Sequence, residues 1–569
     1  MKTYTAEIPI LLKVLFSGEA GDGILSAGET LLNAAARLGY HSSVLKNFPP
    51  TIRGGSCSAL VSITTASQWA PSSIPDLEIS LDQGTITRHN SIIAELPFHL
   101  CIHTRSQTPL RSSFALGALA WLLGIPKELI FEIITEKLRK KDPELTEQNR
   151  TVLESGYEQL RNGDIRIPEC MLPDIDTTRS DRVILDGNHA VALGALSAGC
   201  KIYASYPITP ATAIGDHLSS YLPPLGGFAY QAEDEIAALG AVIGASFSGS
   251  RAMTATSGPG LSLMQEFLGY ASMTELPAVI VDVQRAGPST GMPTKHSQDD
   301  LFAAALGGHG EGQRIVLGAT SVEDCFYLTM EAFNLADHYQ CPVILLSDSA
   351  LGHLKTTVKR PDPTRVASVA RQVCLSQESD SRGLYKRSNL ESTQTCAMPV
   401  PGISPVSYRV TGVEHDEYSI PANSPENRSS QMRRRSLKLQ DLPQKTGHLQ
   451  IWDAQGISPG EADIGVISWG LSASVTREAV KELRNRGLKV AALYPRVLFP
   501  VDLKLYEQMS LLTGHIATVE SNCTGQLSSL IRMNTGLATH PITQYRGEPF
   551  TSEEIAENLY QFYREKIPA

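Results

Sequence analysis

Short runs rich in β-branched residues alternate with helical patterns between residues 201 and 348, and this alternation constrains the fold more than any other feature. It is typical of parallel sheets whose strands are joined by right-handed helical crossovers. We predict strands near Lys201–Tyr206, Phe228–Glu233, Arg251–Thr256, Ala278–Gln284 and Pro342–Asp348. The intervening patterns predict helices over Glu235–Phe247, Leu261–Thr274 and Val322–His338. The segment is therefore expected to form a parallel sheet covered by helices.

The same alternation recurs on both sides of this segment, and a chain of 569 residues is too long for a single core. Near the amino end, a predicted strand at Ile10–Phe16 leads into a glycine loop and a helix near Leu25–Leu38. Further predicted elements are strands at Ile464–Trp469, Lys489–Tyr494 and His515–Glu520 and a helix at Ser472–Arg486. Between these regions, the stretch from about 358 to 458 is rich in Arg, Ser, Pro and Gln. We predict an α/β fold class with domains at 1–178, 179–357 and 459–569, and an extended arm at 358–458.

The charge balance and the cysteines argue against several classes of protein. The net charge is -10 and no basic patch with interleaved aromatic residues is present, so nucleic acid is not an expected partner. No apolar run reaches the length of a bilayer span and the first residues lack a signal-peptide pattern, so we expect a cytoplasmic protein without membrane contact. The nine cysteines form no C-x-x-C pair. An iron–sulfur cluster or a zinc site is therefore not expected in this chain, and no metal ligands are assigned.

Polar or glycine-rich segments follow four of the predicted strands. They are Tyr206-Pro-Ile-Thr209, Glu233-Asp-Glu235, Ser257-Gly-Pro-Gly260 and the run from Arg285 to Thr290. Ligands of open parallel sheets bind beyond the carboxyl ends of the strands, so the four segments predict one site. Each also has a purely structural interpretation: a helix cap, acids favoured by a helix dipole, a tight turn and a surface ion pair.

Taken together, these segments resemble a known family. The sequences YPITP, QAEDEIAALGAVIGAS, TSGPG and RAGPSTGMPT occur in this order and are similar to the pyrimidine-binding domain of 2-oxoacid:ferredoxin oxidoreductases. The segment VTGVEHDE resembles the linker of that family, and ISWG with VESNCTGQL resembles its transketolase-C-like domain. Residues 1–178 resemble the gamma subunit, here fused in front of an alpha subunit. The resemblance thus implies three α/β domains of known kinds.

The resemblance also implies residue roles. Glu235 best matches the catalytic glutamate that hydrogen-bonds the pyrimidine ring of thiamine diphosphate, and Glu233 is its rival. Arg285 matches the substrate arginine, whose guanidinium can clamp a carboxylate with two parallel hydrogen bonds. The other implied positions are Thr209, Ser289 and Thr290 for the substrate, and Tyr206, Pro207, Ile208, Ser257 and Gly258 for the cofactor.

The implied enzyme is incomplete without other molecules. Thiamine diphosphate would be shared with a beta subunit that carries the Mg2+–diphosphate site and a [4Fe-4S] cluster. Coenzyme A would accept the acyl group, ferredoxin would exchange electrons, and the assembly would be a dimer of alpha–beta heterodimers. The fused gamma-like domain favours conversion of 2-oxoglutarate to succinyl-CoA, or the reverse CO2-fixing carboxylation. The alternatives are another thiamine enzyme acting on pyruvate or branched-chain or aryl 2-oxoacids, and a non-catalytic binding module.

Four further features bear on ligand binding, and three of them have open interpretations. Gly21-Asp22-Gly23 with Asn47 mimics a magnesium–diphosphate motif, but the spacing is short and we reject it. The loop with Gly18, Gly21 and Gly23 is either a coenzyme A-side phosphate cradle or a simple turn. Arg433–Arg435 is either a solvated basic cluster or a site for an anion or an acidic partner. Lys295 or His296 could hold the second carboxylate of a dicarboxylic substrate, or both could be surface residues.

Overall fold

A computed structural model describes residues 11–47, 55–65, 75–81, 98–101, 110–138, 142–163, 171–173, 181–375, 380, 384–390 and 395–566. Its strands are β1 (Leu11–Glu19), β2 (His41–Asn47), β3 (Ser56–Thr64), β4 (Leu77–Ser80), β5 (Phe98–Cys101), β6 (Arg182–Leu185), β7 (Ile202–Ser205), β8 (Phe228–Gln231), β9 (Ala252–Thr256), β10 (Ala278–Gln284), β11 (Ile315–Gly318), β12 (Pro342–Asp348), β13 (Lys355–Lys359), β14 (Ile451–Asp453), β15 (Ile464–Ser468), β16 (Val490–Tyr494), β17 (Val497–Phe499), β18 (Ile516–Glu520) and β19 (His540–Thr543).

The α-helices in the same ranges are α1 (Ile24–Arg37), α2 (Arg111–Leu123), α3 (Lys127–Leu138), α4 (Pro143–Asn162), α5 (Gly187–Ser197), α6 (Thr212–Tyr221), α7 (Glu235–Phe247), α8 (Gly258–Leu263), α9 (Gln265–Thr274), α10 (Leu301–Leu306), α11 (Val322–Tyr339), α12 (Ser349–His353), α13 (Pro425–Leu437), α14 (Leu442–Thr446), α15 (Gly470–Asn485), α16 (Leu503–Leu512), α17 (Gln526–Thr535) and α18 (Ser552–Lys566). Short 3-10 helices cover Pro223–Leu225, Pro363–Arg365 and Gly447–Leu449.

Two compact units are present. The first comprises the described residues up to Asp186 together with His353–Arg360. Its sheet has the strand order β5-β4-β1-β3-β2-β13-β6, in which β4 and β5 run parallel to β1 and the other pairings are antiparallel. The predicted first strand is confirmed from Leu11 onward, whereas Ile10 lies outside the described residues. β6 and β13 join this sheet, although the predicted ranges placed β6 and the first three residues of β13 in the second domain. The predicted domain limits themselves stay predictions.

The second unit comprises Gly187–Gly352 and the described residues from Pro361 on. Its larger sheet has the order β17-β11-β12-β10-β9-β7-β8, with all pairings parallel except that of β17. All five strands predicted in this region are confirmed, and the α/β fold class with them. β10 and β12 are buried along their whole length, as expected of apolar strands at the centre of a parallel sheet.

Two details of this region differ from the sequence prediction. The helix predicted over Leu261–Thr274 is two helices that divide at Met264, and the first begins at Gly258 because Pro259 suits the opening turn of a helix. The strand β11 was not predicted, although β7 and β8 are equally short.

The third sheet of the chain lies in the same unit. Its order is β14-β16-β15-β18-β19, and only β14 is antiparallel to its neighbour. One apolar core contains residues from both sheets, including Ile280, Ile344, Ile467 and Leu493. The two sheets of this unit are therefore packed as one body, and β17 adds an edge strand from the carboxyl-terminal region to the larger sheet.

The arm between the two sheets is packed rather than extended at its end. In α13, Arg434 and Arg435 are buried, and Arg433 is exposed. Arg434 forms an ion pair with the buried Glu275, and Arg435 Nη2 lies 2.7 Å from Glu414 Oε2. The two predicted roles of this basic run, a solvated cluster or an anion site, are therefore wrong for Arg434 and Arg435, because both guanidinium groups pair with internal carboxylates.

Candidate functional site

The four polar segments lie at one edge of the larger parallel sheet. The strands β8, β7, β9, β10 and β12 are consecutive neighbours and run in the same direction. Their carboxyl ends therefore open on the same side, where Tyr206–Thr209 follow β7, Glu235 follows β8, Ser257 follows β9 and Arg285 follows β10. This is the position at which parallel sheets bind ligands.

Glu235 is the first residue of α7 and is only 6% exposed. The preceding residue caps the helix, since Asp234 Oδ1 accepts a hydrogen bond from the Ala237 amide at 2.7 Å. Because Asp234 satisfies the helix terminus, Glu235 is not needed there, and its carboxylate has no hydrogen-bond partner in the parts of the chain that the structure describes. Glu233, its rival, is exposed. The burial and free hydrogen-bonding capacity of Glu235 make it the better candidate of the two.

The turn after β9 packs directly against Glu235. A Cβ atom on Gly260 would stand 2.6 Å from Glu235 Cγ and 2.0 Å from Thr256 Oγ1. A Cβ atom on Gly258 would stand 2.6 Å from Asp300 Oδ1. Glycine is therefore required at both positions for the close approach of backbone to side chains, not for its backbone angles. Ser257 is fully buried between them, and its Oγ atom lacks a partner in the described structure.

Arg285 is 8% exposed and contacts the segment after β7. Its Nη1 donates to the main-chain oxygen of Thr209 at 2.7 Å, whereas its Nε is buried without a partner among the residues placed around it. Burial lowers the pKa of this guanidinium, and the charges of Asp300 and Glu235 oppose that shift. A cation with an unused donor faces this edge of the sheet, close to the Glu235 carboxylate.

The remaining predicted residues are less enclosed. Tyr206, Pro207, Thr209, Ser289 and Thr290 have exposed side chains, and Ile208 is half-buried. No hydrogen bond joins the hydroxyl groups of Ser289 or Thr290 to Arg285 or Glu235 within the described residues. The structure thus brings Thr209, Glu235, Ser257, Gly258 and Arg285 together at one edge, and the individual roles of all these residues stay predictions.

Sequence reasoning missed a buried histidine–aspartate contact at the same edge. His296 Nδ1 lies 3.1 Å from Asp348 Oδ1, and its Nε2 is buried without a partner in the described part of the chain. Asp348 also accepts the amides of Leu351 and Leu471, which fix its carboxylate. Asp348 ends β12 in register with Gln284, the residue before Arg285. The interpretation of His296 as a surface residue is therefore wrong, and Lys295 is half-buried.

A second missed feature anchors the loop that carries His296. Gln298 Nε2 donates to the Trp469 oxygen at 2.8 Å, and Gln298 Oε1 accepts from Ser472 Oγ and from the Ser521 amide, both at 2.8 Å. Asn522 Nδ2 donates to the main-chain oxygen of Gln298 at 3.2 Å. The ISWG and VESNCTGQL segments thus hold the end of the Arg285 loop in place. The sequence showed these motifs, but not that a single glutamine joins them.

The glycine loop of the first unit forms a tight turn. Gly21 and Gly23 have φ angles of +113° and +79°, and Asp22 Oδ2 accepts the Glu19 amide at 3.1 Å. Helix α1 begins directly after this loop without a side-chain cap. The Asp22 side chain is used inside the turn, which supports the rejection of this loop as a magnesium–diphosphate motif.

Comparison with known proteins gives a consistent result. Residues 193–434 match the family model described as pyruvate flavodoxin/ferredoxin oxidoreductase, thiamine diphosphate-binding, and residues 13–98 match a second model, pyruvate ferredoxin/flavodoxin oxidoreductase. The chain is 37% identical to the 2-oxoglutarate synthase subunit KorA of Methanothermobacter marburgensis over 67% of its own length and 99% of that protein. The chain belongs to the 2-oxoacid:ferredoxin oxidoreductase family.

Other relatives extend the match over nearly the whole chain of this oxidoreductase subunit. The 2-oxoglutarate oxidoreductase subunit KorA of Mycobacterium tuberculosis is 29% identical over 95% of this chain and 90% of its own. A solved structure of 2-oxoglutarate:ferredoxin oxidoreductase from Magnetococcus marinus, with 2-oxoglutarate, coenzyme A and succinyl-CoA bound, superposes with a TM-score of 0.91. It is 34% identical and covers 97% of this chain and 100% of its own. The prediction of an oxidoreductase of the alpha-subunit type is confirmed.

The residues at the sheet edge fit the cofactor of this family. A buried carboxylate that accepts no other hydrogen bond can accept one from a heterocycle, and the orphaned Ser257 Oγ offers a second polar contact beside it.

Every helix within the described residues is too short or too polar to span a bilayer.

Proposed function

We propose that this chain is the alpha-type subunit of a 2-oxoglutarate:ferredoxin oxidoreductase. The complex would convert 2-oxoglutarate and coenzyme A to succinyl-CoA and CO2, with two electrons passing to ferredoxin. The relatives from M. marburgensis, M. tuberculosis and M. marinus, all named for 2-oxoglutarate, support this substrate. The same site would serve the reductive carboxylation, because a catalyst accelerates a reaction in both directions and the potential of the electron carrier sets the net direction.

The observation that carries the proposal is the placement of Glu235 and Arg285 at one sheet edge. When bound, thiamine diphosphate supplies the nucleophilic carbon and the electron sink for loss of the carboxyl group. Glu235 would hold the pyrimidine ring through a hydrogen bond at a ring nitrogen, from a buried carboxylate that accepts no hydrogen bond within the described residues. Arg285 would bind the 2-oxoacid carboxylate, and its hydrogen bond to the Thr209 oxygen would fix the guanidinium.

His296 would select a dicarboxylic substrate. Asp348 accepts the hydrogen bond of Nδ1, so the buried and unpartnered Nε2 would donate to a substrate carboxylate only when it carries a proton as well. Asp348, the partner of this imidazole, is in register with Gln284, the residue before Arg285 at the same sheet edge. A substrate with a second carboxylate could therefore bridge the guanidinium and the imidazole.

A beta subunit would complete the active site. The sequence has no C-x-x-C pair for a cluster, and its one diphosphate-like motif uses Asp22 within a turn. The edge strand β8 exposes stacked aromatic rings, Phe228 at 59% and Tyr230 at 45%. Tyr206, which lines the same pocket as Tyr230, is also exposed. An exposed edge strand with large apolar side chains is typical of a surface that another chain covers. We infer that the partner carrying the Mg2+–diphosphate site and the [4Fe-4S] cluster covers this surface.

The Gly18–Gly23 loop would face coenzyme A. Gly23 precedes α1, and no side chain among the described residues caps that helix, so its first amides could bind phosphate oxygens. A Cβ atom on Gly21 would meet no atom within 4 Å, so a ligand could approach the backbone there.

The test is purification of the native complex followed by an activity panel. The complex is expected to contain a cysteine-rich partner and to reduce methyl viologen with 2-oxoglutarate and coenzyme A. Pyruvate and branched-chain or aryl 2-oxoacids should support much lower rates. Decarboxylation without viologen reduction would assign the chain to another class of thiamine enzyme, and thiamine binding without turnover of any 2-oxoacid would indicate a binding module.

A further inference from the structure

Asp282 and Asp300 interact where the chain before α10 meets the end of β10, since the Asp300 amide donates to Gln284 Oε1 at 3.1 Å. Neither aspartate has a role in the function described so far. Asp282, on β10, is fully buried, and neither carboxylate oxygen has a hydrogen-bond donor among the described residues. Asp300, the residue before α10, has a buried Oδ2 that also lacks a donor there. Its Oδ1 lies against Gly258. Two ionised carboxylates in such a place would be strongly unfavourable, so their protonation has to be considered.

A shared proton removes most of this cost, because one carboxyl group then donates to the other. Burial and the adjacent Asp300 raise the pKa of Asp282 well above its ordinary value, so Asp282 is the protonated member. Burial and the charge of Asp299 raise the pKa of Asp300 to about 7, against the hydrogen bond from Asp282 and the charge of Arg285. The pair therefore holds two protons below neutral pH and one above it.

The charge of this pair acts on Arg285. Asp300 and Glu235 are the two carboxylates whose charges stabilise the Arg285 cation. While Asp300 is neutral, Glu235 is the one counter-charge that acts on Arg285 among the described residues. Once Asp300 ionises, it competes with any incoming carboxylate for the same guanidinium.

We propose that Asp282 and Asp300 are positioning residues that share a proton and thereby make the binding of the 2-oxoacid carboxylate at Arg285 depend on pH. The proposal rests on the proposed function, since it requires Arg285 to hold the substrate. Binding is strongest while Asp300 is neutral and weakens as the pH rises through neutrality. Reciprocity between linked equilibria requires that substrate binding also favours protonation of Asp300, so a proton is taken up when the substrate binds.

Steady-state kinetics of the assembled complex test the pH dependence. The KM for 2-oxoglutarate should rise about five- to tenfold between about pH 6 and pH 8.5, equivalent to a shift of about one pKa unit, with a smaller change in kcat. Asp300→Asn should give a low KM that is independent of pH. Asp282→Asn supplies a permanent amide donor to Asp300, which then ionises at lower pH, so the KM should already be high at pH 6. Glu557→Gln, on the exposed face of α18, should keep the wild-type profile. A wild-type slope in Asp300→Asn would overturn the proposal.

A binding measurement provides a readout that does not need turnover or a folded variant. Calorimetry of the wild-type complex with glutarate, which lacks the reacting ketone, in two buffers of different ionisation enthalpy at pH 7.5 should report uptake of about half a proton. The absence of uptake would overturn the proposal. Uptake without oxidation of any 2-oxoacid would contradict the proposed function and still support the pair. A KM for 2-oxoglutarate that does not vary with pH would contradict the pair and leave the proposed function standing.

Discussion

Nη1 of Arg285 donates a hydrogen bond to the main-chain oxygen of Thr209 at 2.7 Å, which joins the ends of two strands that are not neighbours in the sheet. One donor of the guanidinium is thus used to fix its position, and the others remain for a ligand. A lysine could not contact both the Thr209 oxygen and a ligand carboxylate in this way, because its ammonium group has no planar pair of donors.

From this geometry we expect Arg285→Ala to raise the KM for 2-oxoglutarate about 10- to 100-fold, the effect of losing a charged hydrogen bond. Arg285→Lys should recover only a small part of the loss. The measurement is viologen reduction by the assembled complex over a range of substrate concentrations. Arg433→Ala, an exposed arginine on α13, is the matched control and should leave the KM unchanged. An unaltered KM in Arg285→Ala would remove Arg285 from the substrate site.

Glu235→Gln should abolish turnover while the complex still assembles. The neutral amide of glutamine is a weaker hydrogen-bond acceptor for the pyrimidine ring than the carboxylate is. Glu233→Gln is the control, since this carboxylate is exposed two residues earlier. Both variants are assayed for viologen reduction and for copurification of the partner. Equal activities of Glu235→Gln and Glu233→Gln would show that the buried Glu235 has no greater role in turnover than the exposed Glu233.

Gly260→Ala should reduce kcat much more than it lowers the melting temperature. The new methyl group would stand 2.0 Å from Thr256 Oγ1 and 2.6 Å from Glu235 Cγ, so the Glu235 side chain must move. The control is Gly244→Ala on the same helix as Glu235, where a Cβ atom meets nothing within 4 Å. That substitution should be neutral or stabilise the protein by up to about 1 kcal/mol. Comparable kinetics of the two variants would show that the close packing at Gly260 has no catalytic consequence.

Local patterns in the sequence predicted the strands and the site edge, because strands in a parallel sheet are marked by apolar runs that end in polar residues. Long-range pairings were not visible in the same way. Asp282 stands in an otherwise apolar strand, and its partner Asp300 follows 18 residues later, so neither local pattern indicates that they meet. Likewise, Arg434 lies 159 residues from Glu275. The stretch around Arg434 is rich in Arg and Ser, which indicated a solvent-exposed side chain rather than a buried one. Resemblance to a family supplied residue roles, but it did not supply these contacts.

Glu275→Gln should strongly destabilise the second unit. Burial alone would raise the pKa of Glu275, but the charges of Lys438, Arg434 and Arg387 hold it well below its ordinary value. Removing the carboxylate leaves buried cations without their counter-charge, which costs about 3–5 kcal/mol. The pKa of Glu275 is lower in the folded protein than in the unfolded chain, where it is about 4.3. The ion pairs of Glu275 therefore stabilise the fold fully above about pH 4.3, and this stabilisation is lost as the pH falls through the folded pKa.

Thermal unfolding followed between pH 7 and pH 4 measures this effect. The melting temperature of Glu275→Gln should lie well below that of the wild type at pH 7, and the difference should begin to narrow only below about pH 4.3. Glu482→Gln removes an exposed ion pair with Arg486 on α15 and should change stability by less than about 1 kcal/mol. If both variants melted alike at pH 7, the buried ion pair between the arm and α9 would not be a principal source of stability.

His296→Gln should raise the KM for 2-oxoglutarate about 10- to 100-fold and leave the lower activity with pyruvate nearly unchanged, because only the dicarboxylate has a second anionic group for the imidazole Nε2. Asp348→Asn should act in the same direction but more weakly, since it replaces the charged acceptor that fixes the orientation of the imidazole. Lys295→Gln is the rival variant and should keep the ratio of the two KM values. The panel is run at saturating coenzyme A, so that only the 2-oxoacid varies. A larger effect of Lys295→Gln than of His296→Gln would show that Lys295, and not His296, selects the dicarboxylate.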